Sequence, residues 1–210
     1  MIKVCDITEM QNQMVVRWHE QDVDCPMQGF AATVCKQHSF NFQLWHEEDI
    51  ARSTDVDDSV IARVKRSIDG FNQQRNDWIE KVDDEITEMV QAANVVTAEN
   101  APINTETPGS VFDRLSIMSL RIYHLREQLE RTDVDQQHMQ SVQKKIAVCL
   151  MQSSELQEAL QCLLDDIFAG VRRHRTYRQF KMYNDPTLNP FLYQAQQLKG
   201  PSKKPSLTST

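Results

Sequence analysis

SVIARVKRSIDGFNQQRNDWIEKVDDEITEM, residues 59–89, decides the fold. Ile61, Val64, Ile68, Phe71, Arg75, Trp78, Val82, Ile86 and Met89 recur at steps of three and four, the spacing that lines one face of an α-helix. The same period runs through Val111, Leu115, Met118, Ile122, Leu125 and Leu129. It holds over seven steps through Val142, Ile146, Cys149, Ser153, Leu156, Leu160, Leu163 and Ile167. No comparable stretch alternates with period two, so no sheet is expected. Proline agrees: none lies between Pro26 and Pro102 or between Pro108 and Pro186, and a proline ring breaks a helix interior.

The expected fold class is all-α: an elongated antiparallel helical bundle with helices near 6–20, 27–52, 56–93, 108–132 and 134–172, then an irregular basic C-terminal segment. Asp57 and Asp58 load a first turn with negative charge, Pro108 after Thr107 suits a first helical position, and Asp133 can cap a helix opening at Val134. Residues 1–25 form the N-terminal helix, 26–193 the bundle domain, and 194–210 a tail disordered by composition. Residues 94–107 are the one substantial internal linker.

With 210 residues and 40% hydrophobic content, the chain has material for one well-built core. No apolar run reaches the roughly 18 residues of a membrane span, and MIKVCDITEMQ lacks a signal-peptide profile, so a cytoplasmic location is expected. The five cysteines are scattered without a C-x-x-C pair, which signals neither a disulfide framework nor a zinc cage, and Cys149 and Cys162 read as small core residues. Phosphate-loop, dinucleotide and nucleophile-elbow motifs are absent. The net charge of -7 conceals an acidic body at -14 over residues 1–170 and a +7 tail. Nucleic acid is therefore a poor partner. Arg172, Arg173, Arg175, Arg178 and Lys181, interleaved with Tyr177, Phe180 and Tyr183, either dock on the acidic body or hold a phosphate.

Chemistry-bearing residues gather on two helices. His38, Asn41, Trp45, Glu48 or Asp49, and Arg52 share one stripe, and Arg75 sits in an apolar seam beside Asn72, Asn76 and Asp77. A guanidinium in a seam needs a carboxylate, because an unpaired buried charge is costly, and Glu48 or Asp49 is the expected partner. Two readings stay open. In one, these groups pin helix register in a binding or assembly module that associates with itself or a protein partner. In the other, they line a pocket for an anionic small ligand, a sugar phosphate or nucleotide. There Trp45, Arg52, Asn72, Arg75, Asn76, Asp77, Arg178 and Lys181 bind, while His46, Asp49 and His124 are the acid–base candidates. His46 with Asp49 and His124 with Glu127 have ligand spacing, but both run opposite to the Glu-x-x-His order of bundle di-metal sites, so no metal site is expected. No cofactor is signalled.

FNFQLWHEEDIAR, KRSIDGFNQQRNDWIEKVD, NTETPGSVFDRLSIMSLRIYHLREQLER and YRQFKMYNDPTLNPFLY together resemble the bacterial "domain of unknown function 4254" family over residues 38–193. The resemblance implies an all-helical cytoplasmic bacterial protein with no established activity, in the setting of cell-surface polysaccharide assembly.

Overall fold

The computed structural model describes residues 2–198, with side chains through residue 194. Its helices are α1 (Val4–Glu20), α2 (Phe30–Ala51), α3 (Asp58–Ala92), α4 (Pro108–Glu127), α5 (Gln136–Phe168) and α6 (Pro190–Leu198), with 3₁₀ turns at Gln128–Glu130 and Met182–Asn184. The described residues are 72% helical and contain no strand. None of these helices is long and apolar enough to cross a membrane. Two compact units divide at Tyr177: the first carries α1–α5, and the second, within its described residues, carries the later 3₁₀ turn and α6.

Local chemistry sets the helix ends. Thr107 Oγ1 accepts from Ser110 N at 3.2 Å while Ser110 Oγ accepts from Thr107 N at 3.0 Å, a reciprocal box that opens α4 with Pro108 in its first turn. Asp83 of α3 adds a third acceptor, taking Gly109 N at 2.7 Å. A Cβ on Gly109 would lie 2.6 Å from Ile79 O, so only glycine permits this approach. α5 is capped by Asp135, which accepts from His138 N at 2.7 Å, and not by Asp133, which is drawn onto Arg131 at 2.6 Å. α5 also stops at Phe168, short of the expected residue 172, because Gly170 adopts φ 74 and turns the chain. The segment after it is not wholly irregular: Asn189 Oδ1 accepts from Phe191 N at 3.0 Å, and α6 starts there. Of the tail expected over residues 194–210, residues 194–198 belong to α6, and those from 199 onward lie outside the described residues.

In the first unit, α2 and α3 form one hairpin, with Phe40 against Phe71 and Trp78. α4 and α5 form another, where Met118, Ile122 and Cys149 meet. Cys149 is buried as expected, but Cys162 is exposed, since Leu160, Leu163, Leu164 and Ile167 take the inward side of α5. α1 covers the seam between hairpins, burying Val15 and Trp18 against Phe42 and Phe112. Contacts along α1, α2 and α4 ascend together: Gln11 and His38 bond at one level, His19 and His46 meet at a higher one, and Trp45 lies on His124. These three helices therefore run in the same direction, with residues 21–29 returning the chain from α1 to α2 and the antiparallel α3 returning it from α2 to α4.

The first cations after α5 are spent on the acidic body. Arg172 reaches Asp166 at 3.4 Å and Asn104 at 2.7 Å, Arg173 Nη2 donates to Glu99 O at 2.6 Å, and Thr176 donates to Asp84 at 3.0 Å. Docking, one of the two uses open to this stretch, is what these residues do.

Candidate functional site

Three polar regions lie in succession up α2. The lowest is sealed. Gln37, His38 and Ser116 are 0% exposed, and Asn41 and Asp113 nearly so. The Gln11 carbonyl can only accept, so His38 Nε2 carries the proton and donates to it at 3.0 Å. Nδ1 then accepts from Ser116 Oγ at 2.6 Å. Asn41 Nδ2 donates to Ser116 Oγ and to Asp113 Oδ1, both at 2.8 Å, and Gln37 Nε2 donates to Asp113 Oδ1 at 2.6 Å. A single direction of donation thus runs from Asn41 through Ser116 and His38 to the α1 backbone. Burial pushes His38 down to about 3, keeping it neutral. Burial also raises the Asp113 carboxyl above its ordinary value, against the pull of Arg75 and the two amides.

Arg75 pairs with Asp113, at 3.3 Å from Nε to Oδ1, and not with Glu48 or Asp49 as expected. The reason is packing: α4 lies against both α2 and α3, and Asp113 already stands at the three-helix junction where Arg75 arrives. The contact is an ion pair and not a hydrogen bond. Arg75 Nη1 and Nη2 carry no hydrogen bond among the described residues, and the side chain keeps 29% exposure.

Above this pair opens a cleft of about 170 Å³ between α2, α3 and α4. Asn41, Trp45, Glu48, Asn72 and Arg75 line it over an apolar floor of Leu44, Ile117 and Leu120. It has the volume of about six waters, room for one ring or one phosphate-sized group.

The highest region is a cluster of rings. His19, His46 and His124, from three helices, stand with ring centroids 5.1–5.6 Å apart. Trp45 stacks on His124 at 4.9 Å, and Tyr123 stacks on His19 at 4.2 Å. Burial lowers the pKa of His46, the neighbouring His19 and His124 lower it further, and Asp49 and Glu127 partly offset this.

Of the residues expected at a site, the cleft gathers Trp45, Asn72 and Arg75, and the ring cluster gathers His46 and His124 with Asp49 nearby. The others are elsewhere. Arg52 sits on the surface, bonded to Glu48 at 2.7 Å one turn earlier. Asn76 is buried and donates to Asn72 O at 2.8 Å, while Asp77 accepts from Gln73 at 2.7 Å along α3. Arg178 and Lys181 belong to the second compact unit. His19 and Asp113 are the functional-type residues that the seam pattern did not single out. Asp113 carried a signal in principle, being a carboxylate between the seam residues Val111 and Leu115. His19 carried none, since its company is set by the return of the chain through residues 21–29.

Residues 31–176 match the model of a family described as "Protein of unknown function (DUF4254)". No curated protein and no solved structure matches the chain.

Proposed function

We propose that this chain, which belongs to the DUF4254 family, acts as a binding module for a small anionic ligand of the sugar-phosphate or nucleotide kind. The observation that carries this reading is Arg75. Its guanidinium is held at the cleft by Asp113 through Nε, and two donors remain unspent toward a concavity walled by an indole, two amides and a carboxylate. A guanidinium with free donors is the usual partner of a phosphate, an indole face of a sugar or base ring, and amides of hydroxyls. The cytoplasmic setting in cell-surface polysaccharide assembly implied by the family resemblance agrees with such a ligand. A separate assembly role draws on α5, whose Val148 and Met151 are 47% and 53% exposed one turn apart.

The test is titration of the full chain with glucose 1-phosphate, uridine diphosphate and inorganic phosphate, followed by calorimetry and tryptophan fluorescence. Saturable binding of at least one probe is expected, weakened about tenfold or more by Arg75→Met, the scale of a lost charge-assisted hydrogen bond. Binding of none of the three, or unchanged affinity in folded Arg75→Met, overturns the reading.

A further inference from the structure

We propose that His19, His46 and His124 form a binding site for one divalent first-row transition-metal ion, of the zinc or cobalt class. One ring nitrogen from each lies within 4.8 Å of the others. α1, α2 and α4 run in the same direction here, and that shared direction brings single histidines of three helices to one level.

Hydrogen bonding at the far side of two rings fixes which nitrogen is available. His19 Nδ1 lies 2.7 Å from Val15 O, and a carbonyl can only accept, so the proton is on Nδ1. His124 Nδ1 lies 2.6 Å from Glu127 Oε2 and by the same argument donates to the carboxylate. In the neutral rings both Nε2 atoms therefore carry the lone pair, and both are buried with no hydrogen-bond partner. A ligating imidazole almost always has its other nitrogen held by a carbonyl or carboxylate, and here one ring has each. A water donates to at most two such nitrogens, whereas a metal ion takes all three rings together. An all-imidazole set selects zinc, cobalt, nickel or copper over magnesium or calcium, which prefer oxygen.

The neighbouring rings favour the same use. Trp45 lies on His124 at an interplanar angle of 10°, Tyr123 on His19 at 22°, and Phe42 meets His46 edge-on at 4.5 Å. They fix the ring planes and keep water off the flanks. A water or substrate atom would supply the fourth ligand of such a three-histidine site. Metal–nitrogen bonds of about 2.0–2.1 Å put tetrahedral ligands about 3.3 Å apart, so loading draws the rings together by no more than about 1.5 Å.

This site is independent of the Arg75 cleft, with which it shares only the Trp45 indole. Arg75→Met leaves metal binding unchanged, so failure of either proposal is distinguishable from failure of the other.

The experiment is titration of metal-stripped full-length protein with Co²⁺, read by visible absorption, and with Zn²⁺, read by calorimetry. One ion per chain is expected, with the intense cobalt spectrum of a four-coordinate site. His19→Ala, His46→Ala and His124→Ala, checked for folding by circular dichroism, each weaken binding 100-fold or more. Glu127→Gln, which keeps an acceptor but removes its charge, weakens it about 10–100-fold. His138→Ala, on α5, leaves it unchanged. If the alanine variants do not fold, Glu127→Gln and cobalt-shifted imidazole N–H resonances of the wild type decide. Absence of stoichiometric binding, survival of full affinity in folded His19→Ala or in Glu127→Gln, or loss in His138→Ala overturns the proposal.

Discussion

α2 carries two histidines, His38 and His46, eight residues apart and pointing toward the same two neighbouring helices, yet the structure treats them oppositely. His38 has both nitrogens paired, one to Ser116 and one to the α1 backbone, and no solvent reaches it. His46 faces two other rings, each with a buried lone pair that nothing occupies. A polar group buried with its partners complete holds a fold together; a set whose acceptors are turned toward each other stores binding capacity at a cost in stability. The stripe that starts at His38 grades outward: Asn41 is buried at the foot of the cleft, Trp45 and Glu48 border it, and Arg52 is out in water.

On that contrast, the largest effect lies in the sealed region. Asp113→Ala removes the acceptor shared by Gln37, Asn41 and Arg75, stranding two buried amide donors and a guanidinium. A loss of about 3–5 kcal/mol in urea unfolding is expected, the range for breaking a buried charge network from one side. A loss under about 1 kcal/mol would mean water replaces the carboxylate, and the network would then count as part of the cleft.

Next in size is an effect of pH. His38 titrates at about 6.5 when unfolded and at about 3 in the fold, so between those values the unfolded chain binds more protons. Its contribution is fully present above about 6.5 and is lost as pH falls, on the order of 2 kcal/mol by pH 5. Asp83 acts in the opposite sense over an overlapping window, because burial lifts its carboxyl to about 6 and folding then favours its protonated form as pH drops. The measurement is therefore a difference: urea unfolding from pH 7 to 5 in wild type against His38→Gln, with the variant losing less stability on acidification. Parallel curves would show that His38 accepts a proton in place.

The fold was legible because burial leaves a period in the chain: the α3 seam from Val64 to Ile86 and the Thr107–Pro108 start of α4 are both where local rules put them. The partners were not legible, because periodicity gives a face and not the helix that fills it. Arg75 called for a carboxylate, and the nearest in the expected hairpin was Glu48 or Asp49, but Asp113 arrives from α4. His46 and His124 each stood out beside an acid three residues on, as two separate pairs. That they meet each other and His19 depends on the levels at which residues 21–29 and the helix α3 bring the chain back, and no repeat spells out those levels.

The smallest expected effect is the most discriminating. In metal-free protein, His46→Leu should change unfolding stability by no more than about 0.5 kcal/mol in either direction, and a gain is acceptable. The substitution removes a half-buried imidazole whose desolvation is already unfavourable, puts an apolar group of similar bulk against Phe42, and relieves crowding with two like rings. The same change at His38 has no such compensation, since it abandons the Ser116 hydroxyl and the Gln11 carbonyl in a dry interior. A cost at position 46 comparable to that at 38 would mean that the ring cluster is cemented by its own stacking, and the two histidines of α2 would then do the same work. Neutrality at 46 beside a large loss at 38 would show that the fold does not need the imidazole that the three-ring cluster keeps.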